Sequence, residues 1–234
     1  MAIHSSAIVE TDLPGSVEVG PFTVIGKNVQ IGPNSSIGSH CLLGLNEKEL
    51  IVGCDAKIRS HSVIYGGSNY GDGLETGHSV HLREGVIAGR NLRVGTLSDL
   101  QGDTKIGDFN RFHSNVHIGK YSTVGNFTWI FPYCVLTNDP HPPSEDGLIG
   151  PTVEDFALIT THCTILPGVR VGRASMVGAG AVVTRDVPEG TLVLGNPAAV
   201  LKDLSELQGR NGESLYPWTK RFKVGYPPHL TEKW

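Results

Sequence analysis

Leu82 to Leu136 reads LREGVI AGRNLR VGTLSD LQGDTK IGDFNR FHSNVH IGKYST VGNFTW IFPYCV L, and it divides into sixes without a slip. Leu82, Ala88, Val94, Leu100, Ile106, Phe112, Ile118, Val124, Ile130 and Leu136 hold the first slot. Four residues on, a second slot takes Val86, Leu92, Ser98, Thr104, Asn110, Val116, Ser122, Thr128 and Cys134. Glycine often follows the first slot, as at Gly89, Gly95, Gly107, Gly119 and Gly125. Neither a helical period of about 3.6 nor a long alternating strand makes this pattern. A strict short repeat stacks units that bury their apolar faces only against their neighbours. A period of six is the signature of a parallel β-helix.

This pattern resembles the hexapeptide-repeat transferases. The resemblance implies an all-β fold, a left-handed β-helix of triangular section with three hexapeptides per coil. Outward from the central stretch, Val19, Ile25, Ile31, Ile37 and Leu43 begin earlier repeats, and Ile3 to Ala7 is a still earlier copy. Thr11 to Ser16 reads as a turn or small insertion. The phase breaks at Leu45–Leu50, a charged bulge, and resumes at Val52, Ile58 and Ile64. Tyr65 to Glu75 is glycine-rich and reads as a surface loop or coil edge. It lacks the lysine and the strand–loop–helix frame of a phosphate-binding loop.

After Leu136 the prolines Pro140, Pro142 and Pro143 cannot continue a sheet, so one long loop, 137–152, is expected. Repeats restart at Val153, Ile159, Ile165, Val171, Val177 and Val183. The division expected is a β-helix over 1–198 and a C-terminal part over 199–234. In the latter, Val200 to Gln208 suggests a short helix stopped by Gly209. A tail carrying Tyr216, Trp218, Phe222, Tyr226 and Trp234 would cap the solenoid end or grip a neighbouring subunit.

The 234 residues carry a formal net charge of −4, which suggests no nucleic-acid partner. No apolar run reaches the roughly 18 residues of a membrane span. With no signal peptide visible, a cytoplasmic location is expected. Cys41, Cys134 and Cys163 occupy the small slot and read as buried apolar residues, and no CxxC pair argues for zinc.

Chemistry is sought where coils of 18 residues would align outward-facing side chains. One ladder is His81, Asp99, His117, Val135, and another is Arg93, Arg111, Trp129. The first is read either as a polar ladder at a subunit contact or as a catalytic one. His113 lies in a slot often taken by glycine. Carbonic anhydrases of the same fold bind zinc through three histidines, but the spacing of His78, His81, His113 and His117 does not match theirs, and no metal is expected.

The runs Thr160–Val169, Val177–Pro188 and Gly195–Ala198 resemble the terminal coils of hexapeptide acetyltransferases, which take coenzyme A between subunits. That resemblance implies acetyl-CoA as cosubstrate and a homotrimer. It implies main-chain contacts to the pantetheine from Thr161 and Ala179, and Thr184, Arg185 and Lys202 toward the nucleotide end. Arg170 and Arg173 would add to that positive charge. His141 is the loop's candidate base, with Asp139 able to occupy the same place, and His117 is a further candidate. Thr137-Asn138-Asp139 resembles amino-sugar N-acyltransferases, which implies Asn138 and Asp139, with His113 nearby, at the sugar.

The expected function is therefore acetylation of the amine of a nucleotide-linked amino sugar, in surface polysaccharide biosynthesis. The alternatives are a sugar O-acetyltransferase, which needs a general base, a zinc hydratase and a non-catalytic scaffold.

Overall fold

The computed structural model describes residues 3–144 and 146–213. Over these residues the chain is a parallel β-solenoid of about ten turns, the left-handed β-helix expected. Almost every strand is two residues long, the first facing outward and the second buried, as in Arg111–Phe112 and His117–Ile118. Three sheets of ten, eight and eleven strands form the faces. Every pairing is parallel except the last, between Thr191–Leu194 and Ala199–Asp203.

The repeat explains this shape. First-slot side chains such as Leu82, Leu100, Ile118 and Leu136 are fully buried and stack along the axis. The second slot sits just after each corner and faces inward too. There Ser98 is buried, accepts a hydrogen bond from Val116 N at 3.1 Å, and donates to His113 O at 2.9 Å. A small hydroxyl satisfies turn groups that would otherwise be buried without a partner. The corner glycines answer to the close approach of coils: a Cβ on Gly95 would lie 2.4 Å from the carbonyl carbon of His113. The residue two places further on takes a left-handed conformation, as at Leu97 (φ 60°) and Tyr121 (φ 66°).

Two irregularities follow the expectation. The register step is 21 rather than 18 residues across the bulge near Asn46–Lys48. It lengthens to 29 across the long loop, from Thr123↔Thr152 onward.

Two expectations are corrected. The glycine-rich stretch 65–75 is not a surface loop or coil edge. It contains the in-phase strands Ser68–Tyr70 and Glu75–Thr76, with Tyr70 and Thr76 buried where aliphatic residues usually stand. An aromatic and a hydroxyl in the core slots hide the repeat from a hydrophobicity reading. The short helix expected over 200–208 is also absent. Ala199–Asp203 instead pairs with the open edge of Thr191–Leu194, whose unpaired backbone groups reward a strand more than a lone helix would be rewarded. Among the described residues a single 3-10 turn, Leu204–Glu206, follows, with Leu204 buried. The aromatic tail beyond Glu213 lies outside the described residues.

A second apolar cluster lies apart from the axial core. Phe109, Phe127 and Phe156 stack at 4.8 and 5.3 Å and pack with Leu158, Trp129 and Met176. Cys41, Cys134 and Cys163 are free and buried.

Candidate active site

The ten-stranded face carries the ladder read from the sequence. His81 pairs with Asp99, Asp99 with His117, and His117 with Val135. Parallel strands place such partners one strand spacing apart, about 4.8 Å. The side chains meet: His117 Nδ1 is 3.2 Å from Asp99 Oδ2, with the two side chains 35% and 33% exposed. A carboxylate on one ring nitrogen fixes the ring and leaves Nε2 for chemistry. This imidazole is thereby oriented and still reachable from solvent.

One edge of this face is the corner holding His113. Its ring stacks on Phe131 at 4.7 Å. Burial, and then the neighbouring Arg111 charge, pushes its pKa below the ordinary histidine value of 6.5, so the ring is neutral near pH 7. Its Nε2 is buried and has no hydrogen-bond partner. The same corner continues along the axis through Pro132 to Thr161 and Ala179. Thr161 Oγ1 donates to Pro132 O at 2.8 Å, and Gly180 N donates to Thr161 O at 2.9 Å. Tyr133, exposed, stacks on His162 at 4.8 Å beside Thr161, a pair the sequence reading passed over. Both residues lie in the left-handed corner position, so the register alone could have paired them.

The opposite edge of the face releases the long loop after Val135–Leu136. The loop is tied at its base: Thr137 Oγ1 donates to Ile165 O at 3.0 Å, Ile149 N to Asn138 O at 2.8 Å, and Gly168 N to Ile149 O at 3.2 Å. Asn138 packs over Gly119, where a Cβ would come within 3.2 Å of its side chain. Asp139 organises the loop tip. Its carboxylate accepts from His141 N at 3.0 Å, from Ser144 N at 2.9 Å and from the Ser144 hydroxyl. The Ser144 hydroxyl, more than any other contact, holds this carboxyl below its ordinary range. The His141 side chain is exposed. Thr184 and Arg185 stand exposed at the corner after Val182–Val183, on this same edge.

The structure thus borders one face with most of the predicted residues. Lys202 is the exception, since its strand joins the eleven-stranded sheet opposite Leu192. The terminal basic cluster is also thinner than the sequence suggests. Arg170 pairs with Glu154 and Arg173 with Asp155, at 2.8 and 3.2 Å. Carboxylates one coil away cancel those charges and leave Arg185 and Lys202. Among the described residues no group of three or more His, Cys, Asp or Glu is placed to hold a metal ion. No described helix is long and apolar enough to cross a membrane.

No family model matches the chain. Over 91 residues it is 44% identical to a 2,3,4,5-tetrahydropyridine-2,6-dicarboxylate N-acetyltransferase of Staphylococcus aureus. The match covers 39% of this chain and 37% of the relative, so the chain spans less than half the length of the curated relatives it matches. Among solved structures, the GDP-perosamine N-acetyl transferase of Caulobacter crescentus aligns at 21% identity and a TM-score of 0.32, over 61% of this chain and 57% of that one. The serine acetyltransferase of Neisseria gonorrhoeae aligns at 25% identity and 0.43, over 49% and 43%. In its six-residue period, its coil and its matched sequence, the chain resembles the hexapeptide-repeat acyltransferases.

Proposed function

We propose that this protein transfers the acetyl group of acetyl-CoA to the amine of a small anionic acceptor, a nucleotide-linked amino sugar of surface polysaccharide synthesis. The observation that carries the reading is the oriented Asp99–His117 pair on a face bordered by the tethered loop. The sequence match to an N-acetyltransferase supports the reaction class.

Acetyl-CoA would supply an acetyl group activated as a thioester. The residues at the far end of the corner fit it: Ala179 is exposed, and a Cβ at Gly180 would meet nothing within 4 Å. Thr161 and Ala179 would line the pantetheine, with Thr184, Arg185 and Lys202 toward the phosphates. In the transfer, the amine nitrogen bonds to the acetyl carbon and the carbon–sulfur bond breaks. His117 takes the proton the nitrogen loses, and Asp99 steadies the resulting imidazolium. His141 is the alternative proton acceptor. Asn138 and Asp139 orient the sugar, Asp139 by holding the loop. Positioning of this kind supplies much of the rate even when the amine arrives neutral.

Among the described residues, Lys202 lies across the coil from the loop. A homotrimer, with sites between copies, would bring the two surfaces together.

The S. aureus relative's name describes a dicarboxylate acceptor, which favours a second reading in which the acceptor is a small amine bearing carboxylates. The test is thiol release from acetyl-CoA by metal-stripped protein, across nucleotide-linked amino sugars, amino dicarboxylates and plain sugars. Release with an amino-sugar nucleotide alone is the expected result. Release with amino dicarboxylates alone moves the acceptor to the second reading, and release with plain sugars makes the reaction an O-acetylation. No release with any acceptor overturns the proposal.

A further inference from the structure

The eleven-stranded face carries a second ladder, and its chemistry is unlike that of the first. Lys57, Glu75, Arg93, Arg111 and Trp129 follow one another in register on successive coils. The side chains of Glu75, Arg93 and Arg111 line a cleft of about 300 Å³ that also includes Arg59 and His113. Glu75 serves two of the guanidinium groups: its Oε1 lies 2.7 Å from Arg59 Nη2 and its Oε2 lies 3.4 Å from Arg93 Nε. Arg111 has no ion-pair partner among the described residues. Its guanidinium lies over the Trp129 ring at 5.1 Å, a stack that holds the group flat and keeps its N–H edge free to bond.

Two buried polar atoms in this cleft have no hydrogen-bond partner, Arg111 Nε and His113 Nε2. Buried polar atoms are rarely left unmet, and each such case calls for an explanation. The cleft lining holds three guanidinium groups against one carboxylate, in a chain whose net charge is −4. Guanidinium N–H groups on adjacent coils offer paired donors that match an oxyanion.

We infer that Arg93 and Arg111, with His113 at the rim, form an oxyanion site that takes the phosphoryl or carboxylate groups of the acceptor. The inference rests on the proposed anionic acceptor and deepens it by locating the acceptor's charge. His113 ends the Arg111 corner and His117 begins the next face, so an acceptor anchored here reaches around the corner to the Asp99–His117 pair. Phosphoryl and carboxylate ligands share this chemistry, and binding separates them.

The test is calorimetric titration of the full chain with inorganic pyrophosphate and, separately, with pyridine-2,6-dicarboxylate. At least one binds, and its affinity falls as salt is raised. Arg111→Gln weakens that binding by tenfold or more, Arg93→Gln weakens it less, and Arg111→Lys recovers part of it. Thermal melts and circular dichroism establish that each variant is folded, and His113→Phe provides a further variant if Arg111→Gln is not. Preference for pyrophosphate identifies a nucleotide-type acceptor, and preference for the dicarboxylate a carboxylate one. Failure of both anions to bind, or unchanged binding by Arg111→Gln, overturns the inference. If neither binds and Arg111→Gln lowers the oligomeric mass, the guanidinium pairs with a carboxylate of another copy instead. Titration and acetyl transfer are read separately, so a protein that binds anions without releasing thiol preserves this site while refuting the proposed reaction.

Discussion

Asp99 and His117 hold each other by a contact that only one-coil spacing permits. Removing the carboxylate charge while keeping the shape, as in Asp99→Asn, leaves the imidazolium without its counter-charge. General-base assistance is worth roughly 100- to 10,000-fold, so kcat should fall by about 100-fold in steady-state assays while KM for acetyl-CoA stays within a factor of about three. An equal loss in both parameters' ratio through KM alone would assign the pair to cosubstrate binding. His113 leads to a pH prediction. Its folded pKa is depressed by burial and by Arg111, so the fold favours the neutral ring. That contribution to stability is fully present above the unfolded value of about 6.5 and is lost as pH falls toward the folded pKa. The melting temperature of the wild type relative to His113→Phe should therefore decline progressively as pH drops below about 6.5. A difference independent of pH between 4 and 8 (about the range where histidine titrates) would contradict this account.

At the scale of the element, the two-residue strand and its corner are the unit of stability. Ile118 is fully buried between Leu100 and Leu136 in the axial stack. Ile118→Ala should cost about 2–5 kcal/mol in denaturant unfolding, the range for a buried isoleucine truncated to alanine. The loop should behave oppositely. Its tip, from Asp139 to Ser144, is braced by its own hydrogen bonds, and its base by Thr137, Ile149 and Gly168. Replacing 139–147 with a short glycine–serine linker should leave the melting temperature within a few degrees and abolish turnover.

The ladders were legible in the sequence because a strict period converts spacing into neighbourhood. His81, Asp99, His117 and Val135 needed no more than steps of 18. The loop was legible from its prolines. Tyr70 and Thr76 were not, because core slots tolerate an aromatic or a hydroxyl that a hydrophobicity count rejects. The strand Ala199–Asp203 was hidden for another reason. Its pairing depends on an open sheet edge, a tertiary fact that local leucine spacing does not carry. The pairing of Arg170 and Arg173 with Glu154 and Asp155 likewise lies between coils, and it removes charge that a linear reading leaves in place.

The whole molecule is a solenoid whose coils contact only their neighbours, so damage in one coil should spread little. The ladder face and the oxyanion cleft are both open surfaces, and Lys202 is on the far side from the loop. Light scattering should accordingly give three times the chain mass of 25.0 kDa. Acetyl-CoA at about 100 times its Kd should stabilise the protein by about 2.7 kcal/mol, and dilution to a monomer should abolish that shift. A monomer that binds acetyl-CoA equally well would remove the need for sites between copies. The central claim is that this assembly acetylates an amine, and the most direct measurement is the mass spectrum of the acceptor after incubation with acetyl-CoA and protein, beside an identical incubation with His117→Ala. The account predicts one acetyl group on the acceptor nitrogen with the wild type and a loss of about 100-fold or more in its rate with the variant. An unmodified acceptor, an acetyl ester on oxygen, or equal product from both proteins would contradict it.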